Sequence, residues 1–275
     1  MGGALCAIAD VERRCGGVGE ETACRRVTAS HHVCNLAACH RIRAGAAMGR
    51  IESEVGGPPS RAVRAVNPII TVAEILAVYA AILLYIWQWQ VAYPFFWAAM
   101  LAAVLLSQWA YHDTLEEMGL TGQDFRACAR ASLPILAIVI TASVFYSLWV
   151  HESIGKLASP RSLLMFAGYF VWCSFQQFLT QSYFHRRLMR VVQTPRLRSF
   201  VVGLLFAGAH IPNPVLMAAT FAGGIVFAEI FYRHRNIWPL AFVQAVAGLA
   251  IGALSPPWFI HGMRVGPGYF LFHVH

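Results

Sequence analysis

The chain has 275 residues, 58% of them hydrophobic and only 12% charged, with a formal net charge of +8 and a mean hydropathy of +0.56. A soluble domain of this length needs a charged shell, and these charges are too few to make one, so composition points to the membrane class. The positive charge is nearly all Arg, with Lys156 the one Lys, and it sits at the ends of apolar runs, not on a basic face, which excludes a nucleic-acid-binding surface.

Residues 1–66 read as a disordered Arg- and Cys-rich leader. Cys6, Cys15, Cys24, Cys34 and Cys39 lie there, against Cys128 and Cys173 in the apolar body. No apolar run resembles a signal peptide. His31, His32, Cys34, Cys39 and His40 cluster, but Cys34-x4-Cys39 has no matching second pair, so a metal knuckle is a minor reading. Met48 offers an alternative start that would leave residues 1–47 outside the native protein.

Residues 67–255 read as a transmembrane helical domain. About 20 apolar residues cross a bilayer core as a helix. The candidate spans run 69–87, 91–110, 132–150, 162–184, 198–210, 214–232 and 237–254. The predicted fold class is therefore all-α, a polytopic transmembrane bundle of seven spans, or eight if a re-entrant segment is counted. Asn67-Pro68 opens the first span, and His210-Ile211-Pro212-Asn213-Pro214 ends the fifth and starts the sixth. The stretch 112–131 reads as a cytoplasmic amphipathic connector. Residues 256–275 read as a C-terminal tail, frayed, with His261, His273 and His275 as a minor candidate for an external metal patch.

Charge gives the orientation. His185, Arg186, Arg187, Arg190, Arg196 and Arg198 fill one loop; Arg233, His234 and Arg235 fill another; Arg126 and Arg130 precede the third span. The positive-inside rule places these loops and the N-terminus in the cytoplasm, and the expected location is a bacterial inner membrane.

Polar side chains inside spans carry the functional signal, because an unsatisfied polar group in hydrocarbon costs several kcal/mol. The fourth span holds Gln176, Gln177, Thr180 and Gln181, the fifth ends at His210, and the seventh holds Gln244. At about 1.5 Å per residue from the nearest cytoplasmic Arg, Gln177 and Gln244 lie roughly 14 Å deep and His210 roughly 18 Å. Similar depth on three helices is what a shared intramembrane site requires. Interhelical hydrogen-bond glue is the plainer reading of any one of these residues. Glu229 reads as pairing with Arg233 one turn later, and Glu74 as lying near the inner interface.

The segments FQQFLTQSYFHRRL (Phe175–Leu188), LLFAGAHIPNP and FAGGIVFAEIFYRHRNIWPLAFVQAVAG resemble, in order, the motifs of the CPBP intramembrane proteases, the CAAX-protease and bacteriocin-processing family. That family reads EExxxRG, then FxxxH, then a final His/Asn motif. The resemblance implies a helical membrane endopeptidase whose first glutamate activates water while histidines polarise the attack or hold a metal. Here Gln176 and Gln177 stand at the two glutamates, Gln181 at the arginine, Ser182 at the glycine, Gln244 at the last histidine and Gly248 at the last asparagine; Phe206 and His210 are retained. The family-equivalent catalytic positions are thus Gln176, Gln177, Gln181, His210 and Gln244, with Thr180, Phe206 and Asn213 as expected substrate contacts. A glutamine amide cannot accept a proton as a raised-pKa carboxylate does. No cofactor is expected, because His210 alone remains of a zinc ligand set that needs three.

Three functions compete on these residues. The first is a non-catalytic or weakly active relative that binds a transmembrane segment or a lipidated protein tail. The second is a divergent active peptidase using His210 as base, oriented by Gln177 or Asn213. The third is a small transporter-like protein. The lipid bilayer is the expected environment in all three, and nucleic acid is not an expected partner.

Overall fold

The computed structural model describes residues 67–152 and 160–271, with backbone alone for 160–165. The leader, its Cys/His cluster, Met48, His273 and His275 lie outside the described residues. Among the described residues every regular element is a helix.

Helix α1 (Pro68–Leu84) begins on Asn67, whose side chain accepts from the Ile69 amide, with Pro68 in the first turn. It continues through a π-helical turn, Tyr85–Trp89, to Gln90–Ala92. Helix α2 is Phe96–Ala110 and α3 is Phe125–Trp149. Helix α4 (Pro160–Gln177) runs without a break into a π-helical segment, Phe178–His185, and then α5 (Arg186–Val191). Helix α6 is Pro195–Gly208, α7 is Pro214–Arg233 and α8 is Ile237–Leu254. Two short helices, α9 (Pro257–Ile260) and α10 (Pro267–Phe270), follow.

All seven predicted spans fall on helices, but their lengths differ. Among the described residues four helices are long and apolar enough to cross a membrane: Pro68–Ala92, Phe125–Trp149, Pro214–Arg233 and Ile237–Leu254. Helices α2 and α6, at 15 and 14 residues, reach only about 21–23 Å at 1.5 Å per residue, short of a hydrocarbon core of about 30 Å. The third span also starts earlier than its apolar run suggests. Helix α3 opens at Phe125, so Arg126 and Arg130 are helical and the connector shrinks to residues 111–124. Helical hydrogen bonding continues past the apolar run because arginines are good helix formers.

Large apolar side chains stay on the outside of these helices. Ile138 is 67% exposed, Phe145 69% and Leu76 60%. Such surfaces suit lipid, where they need no partner. Inside, glycine permits the closest approach. A Cβ on Gly203 of α6 would lie 2.8 Å from the Phe221 carbonyl oxygen, and one on Gly224 of α7 would lie 2.9 Å from Gly203 Cα. Small residues at a crossing are how membrane helices gain van der Waals contact.

The tail is docked, not frayed, through residue 271. Asn213, which caps α7 by accepting from the Leu216 amide, donates both Nδ2 hydrogens, to the carbonyls of Ile260 (2.9 Å) and Arg264 (3.1 Å). Gly266 N–H donates to Ile211 O, and His261 stacks on Tyr269 at 4.1 Å. The connector is strapped down in the same manner. Asn236 donates to Thr121 O and Gln123 O, Ser182 donates to Met118 O, and Ile237 N–H donates to Gly119 O.

Candidate functional site

The fourth span delivers its glutamines at the point where α4 becomes a π-helix. A π-turn inserts one residue per turn and re-aims side chains, and such turns occur often at functional sites. Helix α8 packs against α4 and brings Gln244 opposite.

The three amides form a chain. Gln177 Nε2 donates to Gln244 Oε1 at 2.6 Å, and Gln244 Nε2 donates to Gln176 Oε1 at 2.5 Å. Gln244 thus sits between its two partners, one bond in and one bond out. Gln177 is fully buried, and its own Oε1 has no partner. Gln181, one helical turn on, is also fully buried, with neither Oε1 nor Nε2 hydrogen-bonded. Each such unsatisfied group costs about 1–3 kcal/mol. Thr180 has a local role, donating to Gln176 O at 2.7 Å.

His210 follows the C-terminal end of α6. Its Nδ1 lies 2.7 Å from Phe206 O. A carbonyl oxygen only accepts, so Nδ1 carries the proton and Nε2 presents its lone pair in the neutral ring. The Phe206 ring stands edge-on to the imidazole at 5.1 Å. The orienting group is therefore Phe206 O, in place of the Gln177 or Asn213 expected from sequence, and none of the described contacts of His210 reaches the amides. Asn213, expected to touch substrate, is fully buried with its acceptor and both donors committed to the α7 cap and the tail.

Gly248 stands where the resemblance implies the family's last asparagine, and Tyr169 closes that position. A Cβ there would lie 2.3 Å from the Tyr169 hydroxyl oxygen. Tyr169 of α4 occupies the space into which a side chain at 248 would grow.

A second polar cluster was missed by sequence reasoning. Glu74 of α1 accepts from the hydroxyls of Ser107 and Tyr183 (2.9 Å to the latter) and pairs with Arg187 Nε at 3.3 Å. Arg187 is fully buried; its Nη1 pairs with Asp113 at 2.7 Å and its Nη2 donates to Ser107 at 2.8 Å. Arg186 pairs with Asp113 at 2.5 Å and with Glu117 at 3.2 Å, and Arg190 with Asp113 at 3.2 Å. The Tyr111 ring lies under Arg187 at 4.0 Å and Arg190 at 4.2 Å. Three acids balance three arginines, so the cluster is a neutral clasp joining α1, α2, the connector and α5. Burial pushes the Asp113 carboxyl up, but Arg186 and Arg187 outweigh it and hold the group below its ordinary value of 3.8. The signal in the sequence was Glu74, an acid inside an apolar span. Glu229 is also placed otherwise than expected: it accepts from Ser199 of α6 at 2.6 Å, across the tight α6–α7 contact, and among the described ion pairs Arg233 is not its partner.

Fold and site together define a helical membrane protein with a polar centre buried between its helices. Within that class, residues 158–250 match the family model for type II CAAX prenyl endopeptidase Rce1-like proteins, which agrees with the CAAX-protease resemblance of the motifs. The matched stretch takes in α4 through most of α8, and so the five positions that the resemblance marks as catalytic. No match was found among curated proteins or among solved structures.

Proposed function

We propose that this chain binds a transmembrane segment or a lipidated protein tail without efficient cleavage, in a cavity related to that of the CAAX prenyl endopeptidases. The observation that carries the reading is the chain of amides Gln177–Gln244–Gln176, standing where the family's motifs carry glutamates and a histidine. An amide both donates and accepts without charge, so it can hold an unwound backbone, but it cannot take a proton from water. The unpartnered Gln181 and Gln177 Oε1 supply the donors and the acceptor that such a backbone would meet.

A zinc ion does not suit this donor set. Catalytic zinc takes three ligands from His, Cys, Asp and Glu, and among the described residues no three such side chains converge. The positive-inside distribution supports seven membrane-embedded segments, α2 and α6 the short ones, in a bacterial inner membrane with the N-terminus in the cytoplasm. A divergent peptidase is the second reading. It is favoured by one observation, the fixed Nδ1–H tautomer of His210, which leaves Nε2 as an unprotonated base.

The test is crosslinking in native membranes from a photoreactive side chain at position 180, beside Gln176. Capture of a discrete membrane or lipidated protein, abolished by Gln177→Leu, supports the reading. Capture of lipid alone, unchanged by that substitution, refutes it.

A further inference from the structure

The basic residues at the shared end of α5, α6 and α7 fall into two groups with opposite circumstances. Arg186, Arg187 and Arg190 lie among Glu74, Asp113 and Glu117, charge matched against charge. On the other side lie Arg198 and His185. Arg198 is only 6% exposed, its Nε is buried without a hydrogen-bond partner, and among the described ion pairs no carboxylate lies within 4 Å of it. Its described contact is the Tyr232 ring at 5.0 Å. His185 is 1% exposed with Nδ1 unpartnered, and its ring lies 6.0 Å from Phe231, the neighbour of Tyr232 on α7. Burial, and then the positive charges of Arg198, Arg235 and Arg186, push this imidazole down to about 3, so the ring is neutral and offers a hydrogen bond, not a charge. Glu229 is committed to Ser199.

The backbone adds to the imbalance. Arg198 stands in the first turn of α6, where the helix dipole is itself positive, that turn holds no acid, and Thr194 makes no side-chain cap bond. A buried cation with no partner is costly, and a guanidinium in the positive first turn of a helix calls for an anion. A guanidinium presents a planar fork that matches phosphate, and a helix N-terminus beside it offers free N–H groups to the same ion.

We infer that Arg198, His185 and the N-terminus of α6 form a binding site for a phosphate group, separate from the amide site. Two sources carry that chemistry at this end of the bundle, the headgroup of an anionic phospholipid and free inorganic phosphate. The site depends on none of the residues of the proposed client cavity.

The experiment is native mass spectrometry of the full chain in detergent, titrated with phosphatidylglycerol, with diacylglycerol as the phosphate-free control. Charge-assisted hydrogen bonds are worth about 1.5–3 kcal/mol each, so Arg198→Gln is expected to weaken phosphatidylglycerol binding about tenfold. Arg198→Lys keeps the charge and is expected to stay within about threefold of the parent, which separates loss of the site from loss of the fold. Arg196→Gln, an exposed neighbour in the same turn, is expected to bind as the parent does. Competition by millimolar inorganic phosphate would show that the phosphate group alone is recognised. Arg198-dependent lipid binding without such competition would identify the bilayer as the source. Equal losses in Arg196→Gln and Arg198→Gln, unchanged binding in Arg198→Gln, or diacylglycerol bound as tightly as phosphatidylglycerol would overturn the inference.

Discussion

Replacing Gln244 by Leu should damage the bundle more than replacing all three glutamines of the amide chain. Gln244 accepts from Gln177 and donates to Gln176, so the substitution removes two interhelical hydrogen bonds. Such bonds in membrane proteins average about 0.6 kcal/mol, or about 1.2 kcal/mol for the pair. The larger effect is on what remains. Gln177 Nε2 keeps its hydrogens in a fully buried position and adds an orphan donor to the orphan Oε1 already there, at about 1–3 kcal/mol. Gln176 is partly exposed and relaxes at lower cost. The expected destabilisation of Gln244→Leu is about 2–4 kcal/mol. In the triple variant Gln176→Leu, Gln177→Leu, Gln244→Leu no partner is orphaned, and most of that loss should return. Equilibrium unfolding in mixed detergent micelles, followed by tryptophan fluorescence, measures both. A single variant within 0.5 kcal/mol of the parent, or a triple variant less stable than the single, would refute the hydrogen-bonded chain.

Arg187→Met should be severely destabilising, by about 3–5 kcal/mol, because it removes the one described cation partner of Glu74 and takes one of three from Asp113; thermal melts in detergent check this. The Asp113 carboxyl is held below its ordinary value, so its contribution to stability is complete above about pH 4 and disappears as pH falls through the lower folded-state value. Melting temperature should therefore drop on the acid side, and the drop should be smaller in Asp113→Asn. Gly248→Asn, the residue that the resemblance implies there, should destabilise the fold by about 1–3 kcal/mol, because its Cβ meets the Tyr169 hydroxyl; pairing it with Tyr169→Ala should recover stability. Gly203→Leu should separate α6 from α7 and abolish the folded state in the same assay.

Hydropathy placed the seven predicted spans on helices, because a membrane helix must be apolar along its length, whereas α5, α9 and α10 lie in stretches read as loop and tail. Helix ends were less legible. Arg126 and Arg130 looked like loop residues, yet they extend α3, since a helix continues past the bilayer wherever its residues favour it. The meeting of Gln176 and Gln177 with Gln244 agrees with their equal depth on two helices, but the same argument put His210 with them, and its described contacts stay with Phe206. The fate of Asn213 was not: its spacing from His210 suggests a site residue, while its partners, Ile260 and Arg264, lie in a segment with no sequence signal of docking. The Glu74–Arg187 clasp was hidden for a related reason. Its members are 113 residues apart in sequence, and pairing across that separation depends on how α1 packs on α5, which periodicity alone does not reveal.

The most direct test follows a doubly labelled farnesylated peptide incubated with the full chain in lipid nanodiscs, with both ends tracked over time. Binding with the two labels remaining together, unaffected by His210→Ala, is the expected result. Separation of the labels at a rate that His210→Ala abolishes would mean that the site still cuts, and the binding account would be wrong.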